Sequence, residues 1–411
     1  MQSSLRMGLV GPGFIAEHHL DAVRRLGDVE IVGIAGSSLQ SAQEKAAKLK
    51  AGYAFRDYME LVQCADIDVV HNTTPNFLHR EVSLAALRAG KHVISDKPLA
   101  CTAKECAELR DAAAEADVVG AVTFNYRGHA MVQQARAMVA HGTLGETVSI
   151  HGQYLQDWLT DENTYSWRVD PLLAGPSSAL ADIAAHWCDL AEHVAGARIQ
   201  SVLADLCTVV KTRYTANAPR ATFSRDKVGS GTPVAVHGED LAAVLLRFEN
   251  GARGSLKVGQ VLPGHKNDLQ LEVNGRVASV RWEQEKPNEL WVGSYAQPNC
   301  ILQREAALLM PEAQMYAGLP VGHHDGWADA FRNVISEIYA WIRQGGAEQQ
   351  RPGMVCSFSG GYRVSCTIEA MLKSFAQGSV WQDIEDPFPA RANVSGDAAA
   401  KPLANIEALS Q

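Results

Sequence analysis

The sequence predicts two unlike units in series. The first is an α/β unit with a doubly wound parallel sheet. The second is an α+β unit with a large, mostly antiparallel open sheet. Three observations carry this reading. Short apolar runs alternate with helical patterns through the first third of the chain, as parallel strands joined by crossover helices require. Gly11, Gly13 and Ala16 stand in a G-x-G-x-x-A spacing between the first apolar run and the first helical pattern. From Ser201 to Leu302, strand-like segments follow one another with few helices between them. A chain of 411 residues suits two domains. The boundaries are read as 1–125 and 126–386, with an extended or disordered tail at 387–411.

In the first unit, the apolar Leu5–Val10 run reads as a buried strand. At the turn after it, Gly11 permits the tight bend and Gly13 lets the backbone approach a pyrophosphate. Ala16 keeps the helix close to the strand, and the helix start favours phosphate. Further strands are expected at Val29–Ala35, Asp68–Asn72, Lys91–Ser95 and Val118–Phe124, with helices at Leu39–Lys50, Phe77–Ala89 and Ala103–Ala116. Ligands bind at the carboxyl ends of such strands. Here those ends carry Gly36–Ser38, Thr73–Asn76, Asp96–Pro98 and Asn125–Arg127.

The second unit opens with a helix near Met131–His141, a strand at Thr147–Tyr154 and a polar connection holding Trp158, Trp167 and Arg168. A helix over Ser178–Val194 precedes the strands. Asn274-Gly275 between LQLEV and RVASVRW predicts a two-residue hairpin turn. Thr212–Gly231 reads as a loop, and late helices are expected near Gly326–Arg343 and Met354–Gln377.

Lys and Arg total 37 against 46 Asp and Glu, a net charge of −9. With no basic run, a nucleic-acid partner is not expected. The eight cysteines form no C-x-x-C pair and read as reduced thiols. No apolar run spans a bilayer, so a cytoplasmic protein without a membrane partner is expected.

Three clusters could carry chemistry. Lys97, in Asp96-Lys97-Pro98, stands where it could hold a developing alkoxide. A surface lysine opening a loop explains the same residues. Asp182 and His186 are i, i+4 neighbours on one helix face, so the acid could orient an imidazole base. A helix start with a core histidine would look alike. Only two metal-capable groups are visible there, so no metal is expected. Asn125-Tyr126-Arg127, with Trp158, Trp167 and Arg168, offers aromatic faces and planar donors. His323-His324-Asp325 could form a site rim, though Asp325 could equally cap a helix.

The strand–GPGFIA–helix start, the D-K-P and N-Y-R segments and D-x-x-x-H at Asp182–His186 together resemble the glucose–fructose oxidoreductase and inositol dehydrogenase (Gfo/Idh/MocA) family. The resemblance runs to about Phe375 and has one departure, Asp96 where that family begins its motif with Glu. It implies a Rossmann domain, and hydride transfer between NAD or NADP and a hydroxyl of a sugar, polyol, anhydrosugar or glycoside. Lys97, Asp182 and His186 would be catalytic. The dinucleotide would run past Gly11, Gly13, Phe14, Ile15, Gly36, Ser37, Ser38, Thr73, Thr74, Pro75, Asn76, His79, Asp96, Lys97, Pro98, Asn125, Arg127, Trp167 and Arg168. The substrate would meet Lys97, Tyr126, Asp157, Trp158, Asp182, His186 and His324. The other reading is a sugar- or nucleotide-sensing regulator without turnover, which would be expected to lose the lysine or the histidine.

Gly36-Ser37-Ser38 ends the second strand with no acid to repel a 2′-phosphate and no arginine to hold one. NAD is favoured over NADP. In Val244–Phe248 both strand faces are apolar apart from Arg247. A half-covered sheet of that kind predicts a homodimer or homotetramer through the open sheet.

Overall fold

The computed structural model describes residues 4–215 and 231–385. Its first sheet runs in the order β17-β6-β5-β4-β1-β2-β3. The strands are β1 (Leu5–Val10), β2 (Val29–Ala35), β3 (Tyr53–Phe55), β4 (Val69–Asn72), β5 (His92–Ser95), β6 (Gly120–Val122) and β17 (Cys356–Ser357). Helices α1 (Phe14–Leu26), α2 (Leu39–Leu49), α3 (Tyr58–Gln63), α4 (Asn76–Arg88) and α5 (Ala103–Glu115) alternate with the strands. All pairs are parallel except β17 on β6. The order reverses beside β1 and β4, which opens a crevice where the Gly11–Gly13 and Thr73–Asn76 loops diverge. Helix starts are fixed by side chains: Ser38 accepts from Ser41 N, Asp57 from Glu60 N, and Thr102 with Glu105 forms a capping box.

The second sheet runs β16-β15-β14-β13-β7-β12-β11-β8-β18. Its strands are β7 (Thr147–Leu155), β8 (Ile199–Cys207), β11 (Leu241–Phe248), β12 (Arg253–Gly259), β13 (Asp268–Gly275), β14 (Ala278–Glu283), β15 (Glu289–Ser294), β16 (Cys300–Gln303) and β18 (Gln382–Asp383). Every pair is antiparallel except β7 with β12. Helices α6 (Ala130–Ala140), α8 (Ala185–Ala195) and α11 (Phe358–Ala376) cover one face. Ala242, Val244, Leu246 and Phe248 point into that core. Short helices α7 (Pro171–Ala174) and α9 (Pro311–Gln314), the small β9 (Thr212–Tyr214)/β10 (Pro233–Ala235) hairpin and α10 (Trp327–Arg343) complete the chain.

Several expectations need correction. The Asn274-Gly275 hairpin exists, but Asn274 pairs with Ser279, so Arg276 and Val277 make the turn. Gly275 is needed instead for close approach, since a Cβ there would lie 2.0 Å from the Leu144 carbonyl oxygen. The Thr212–Gly231 segment begins as strand β9, and residues 216–230 lie outside the described residues. So does the 387–411 tail. Helix α10 and strand β17, assigned by sequence to the second unit, complete the first: Phe331, Ile335, Ile338 and Val355 share a core with Leu9, Leu20 and Ile34. The uncovered sheet face is more polar than expected. One row across it reads Leu203, Leu245, Ser255, His151, Glu272, Arg281, Trp291, Ile301, apolar only at its ends. Asp325 is no cap; it is buried against Arg304 at 3.2 Å, and Asp329 accepts from the α10 N-cap Gly326.

Candidate active site

The crevice is shaped by backbone. Gly11 adopts φ +87°, and a Cβ there would come within 2.7 Å of the Thr74 backbone, so a larger residue would push the two loops apart. At Gly13 a Cβ would meet nothing closer than 4.0 Å. That surface is open above the start of α1, whose N-cap Gly13 brings no side chain to its first N–H groups. Phe14 is half exposed and Ile15 half buried beside it, while Ala16 packs fully inside. Across the crevice the residues brace one another. The Thr73 hydroxyl donates to Val10 O and Gly11 O, and the Thr74 hydroxyl donates to Asn72. Pro75 stands at the N-cap position of α4 and Asn76 donates to Ala174 O. The His79 ring lies between Thr74 O and Pro98 O. The Thr123 hydroxyl donates to Asp96. Gly36 and exposed Ser37 precede Ser38, the α2 cap. The Asn125 amide nitrogen is buried with no hydrogen-bond partner. An open strip over Gly13 and an unmet amide at the far end of the crevice fit an extended dinucleotide.

Beyond it the three predicted catalytic residues meet. Lys97 follows β5, with a cis bond to Pro98. Its ammonium donates to Asp182 Oδ1 at 2.8 Å and to the Asp182 carbonyl at 2.7 Å. Asp182 sits in a π turn, Leu180–Ala184, that leads into α8 and His186; such wide turns often mark functional positions. Gln260 donates to Asp182 Oδ2 at 2.7 Å and Arg168 approaches Oδ1 at 3.4 Å. Burial pushes the Asp182 carboxyl up, but Lys97 and Arg168 outweigh it and hold the group well below the carboxylate range.

His186 is placed as expected but not oriented as expected. The Asp182 carboxylate turns to Lys97, Gln260 and Arg168, and His186 Nδ1 is buried with no hydrogen-bond partner. The ring is set instead by packing on Phe124 and Tyr126, with centroids 5.6 and 5.0 Å away. Burial, then the Lys97 charge, push the imidazole well below its ordinary range. It is therefore neutral near pH 7.

A polar wall faces this cluster. The Tyr126 and Tyr154 hydroxyls meet at 2.7 Å, Tyr154 donates to Asn267, and Trp158 donates to Gln156. Tyr154, Gln156, Gln260 and Asn267 were not singled out by sequence; their only signal is a polar residue at or beyond a strand end. Asp157 is at the rim, paired with Lys266. The Arg168 guanidinium stacks 4.6 Å over Trp167. Two assigned residues stand apart. Arg127, expected on the cofactor, is committed to buried Asp189 of α8 at 2.7 and 2.5 Å. Sequence does not show which way its side chain turns after β6. His324 is exposed on the loop before α10 and takes no part in the network around Lys97. Among the described residues no three His, Cys, Asp or Glu converge on a metal position, and no helix is long and apolar enough to cross a membrane.

A dinucleotide cradle beside a lysine–aspartate pair and a neutral histidine defines the class, a nicotinamide-dependent oxidoreductase. Comparison with known proteins agrees. Residues 5–124 match the oxidoreductase family with an NAD-binding Rossmann fold, and residues 132–281 match the GFO/IDH/MocA C-terminal domain. The chain is 31% identical over 394 residues to levoglucosan dehydrogenase of Pseudarthrobacter phenanthrenivorans, covering 93% of this chain and 98% of that one. The chain belongs to the Gfo/Idh/MocA oxidoreductase family. Among solved structures, levoglucosan dehydrogenase in complex with NADH and levoglucosan superposes with a TM-score of 0.82 at 29% identity, covering 93% of this chain and all (100%) of that one. An inositol dehydrogenase homolog from Azotobacter vinelandii, complexed with NAD+, gives 0.80 at 29% identity, covering 93% and 98%.

Proposed function

We propose that the protein oxidises a secondary hydroxyl of an uncharged cyclic carbohydrate, such as a sugar, anhydrosugar, glycoside or polyol, with a nicotinamide dinucleotide as hydride acceptor. The observation that carries this reading is the junction of Lys97, Asp182 and His186 at the carboxyl edge of the first sheet, facing the Gln156–Trp158 wall. The substrate hydroxyl lies between the Lys97 ammonium and the His186 imidazole. His186, neutral in its apolar setting, takes the hydroxyl proton. Lys97 donates to the same oxygen as negative charge develops there. Asp182 keeps Lys97 aimed. The amide of Gln156 suits a further hydroxyl, and Trp158 offers a face for the ring carbons. The nicotinamide, when bound, supplies the hydride acceptor. Gly13, the α1 start and Asn125 would hold the dinucleotide, with Thr73, Thr74, Asn76 and His79 shaping its crevice.

NAD is the preferred cofactor in this reading. Gly36-Ser37-Ser38 offers neutral donors to ribose hydroxyls, and no arginine lies in the turn for a 2′-phosphate. Homo-oligomerisation through the uncovered sheet face belongs to the same proposal, with Leu203, Leu245, Trp291 and Ile301 at its apolar ends. The activity is tested by following reduced-nicotinamide absorbance with a panel of sugars, anhydrosugars, glycosides and inositols against NAD and NADP. The reading expects turnover of at least one and a higher kcat/KM with NAD. Binding of NADH without turnover of any compound in either direction would favour a sensor.

A further inference from the structure

Asp182 is the hub of the site, yet one of its partners has no role in the reaction above. Gln260 follows β12 and is 1% exposed. Its backbone is fixed from both sides: its N–H donates to Asp240 O, and its carbonyl accepts from Leu159 N. The side chain is thus a donor on a rigid mount. Its amide nitrogen reaches Asp182 Oδ2 at 2.7 Å and Gln156 Oε1 at 3.3 Å. Gln156 Oε1 also accepts from the Trp158 indole at 2.9 Å. One amide therefore ties the lysine's counter-ion to the substrate wall.

The chemistry of an amide suits that place. Lys97 occupies Asp182 Oδ1 and Gln260 occupies Oδ2, so the carboxylate is held at both oxygens and cannot rotate away from the lysine. A cation at the second oxygen would compete with Lys97 for the charge. A carboxylate would repel Asp182. A neutral donor fixes the group and leaves its charge to Lys97 and Arg168. Meanwhile the Gln260 Oε1 atom is buried without a partner, a cost that a purely structural position would be expected to avoid.

We propose that Gln260 is a positioning residue for the reaction: it sets the rotation of the Asp182 carboxylate, and through it the aim of Lys97, from the side of the substrate wall. The inference rests on the function proposed above, so its test includes one arm that needs no turnover.

Gln260→Leu keeps the size and removes the donor. Misaim of a catalytic group by about 1 Å costs on the order of a hundredfold. The variant is expected to lose about thirty- to a hundredfold in kcat, with KM changed much less, because Trp158 and Gln156 remain. NADH affinity should not change. Gln260→Glu adds the rescue. The groups facing its carboxyl are Asp182, Lys97, Arg168 and His186. Ionised, it repels Asp182; protonated, it can donate to Oδ2 as the amide does. Its kcat should rise relative to wild type as pH falls. The arm independent of turnover is a crystal structure of free Gln260→Leu, in which the carboxylate turns and the Lys97–Asp182 Oδ1 contact of 2.8 Å is lost. If wild type turns over nothing but that contact is lost, the functional reading fails and the positioning role stands. If the contact persists, or if kcat and KM fall together in Gln260→Leu without acid recovery in Gln260→Glu, the positioning role is wrong.

Discussion

Replacing Asp182 with Leu should destabilise the protein more than replacing its partner Lys97 with Met, although both break the same ion pair. The pair is 2.8 Å long and its side chains are 14% and 17% exposed. At an effective dielectric constant of about 20, the gross attraction at that distance is about 6 kcal/mol, most of it offset by desolvation. The difference lies in what remains. After Lys97→Met, Asp182 keeps Gln260 at 2.7 Å and Arg168 at 3.4 Å. The loss is that of the two Lys97 hydrogen bonds, to Asp182 Oδ1 and O, less the cost of burying the ammonium that Met does not bear, about 2 kcal/mol net. After Asp182→Leu, two cations share a half-closed site with no counter-ion, and the cost is about 3–5 kcal/mol. With an unfolding entropy of about 2.1 cal/mol/K per residue over 411 residues, melting as one unit, 4 kcal/mol is about 5 °C in Tm and 2 kcal/mol about 2–3 °C. The double variant removes one of the two stranded cations, so it should melt above Asp182→Leu alone. Because Asp182 is held below its unfolded value, its stabilisation is complete above about pH 4 and lost as pH falls further. The gaps should therefore be constant between about pH 6 and 8. Calorimetry on the four proteins without cofactor decides it. Additive losses, or Lys97→Met melting below Asp182→Leu, would refute the assignment of Asp182 as the hub.

Three further outcomes follow from the geometry. His186→Ala should cost about a hundred- to ten-thousandfold in kcat and leave NADH affinity near wild type; near-normal turnover at saturating substrate rules out the histidine as base. Gly13→Ala should fold with unchanged Tm but bind NADH at least about tenfold more weakly, the loss of about 1.4 kcal/mol of contact, because its Cβ enters open space; Gly11→Ala, at φ +87°, should lower Tm instead. Burial pushes down the imidazoles of His19, His71 (to about 3), His129 (to about 4), His186 and His193. The unfolded chain binds protons first, so this stability is full above about pH 6.5 and falls below it, by up to about 1.4 kcal/mol per pH unit for each group; a Tm that holds or rises from pH 7.5 to 5.5 contradicts it.

What sequence reveals here depends on how far apart the partners lie. The Leu5–His19 turn is a local pattern, and its strand, glycines and helix all appear where the spacing puts them. Asp182 and His186 share one helix, and Lys97 closes a strand in the alternating half, so their convergence follows from topology. Their hydrogen bonds do not follow. An i, i+4 spacing suggests Asp182 on His186, but two cations and an amide from other segments win the carboxylate. Gln156 and Gln260 are 104 residues apart and meet only because Leu155 pairs with Gly259 in the one parallel pair of the second sheet. Arg127 is legible as a residue near the crevice but not as a partner of Asp189. Strand β17 has only two residues, too few to show periodicity, so the return of the chain to the first sheet is invisible before folding.

The central claim is direct hydride transfer from a ring carbon whose hydroxyl His186 deprotonates. It is tested most directly by giving the enzyme NAD and a turned-over carbohydrate deuterated at the oxidised carbon, then locating the label by NMR. The account predicts one deuterium on the reduced nicotinamide for each keto product, with none released to water. Label appearing in water, or keto product formed without a labelled cofactor, contradicts it.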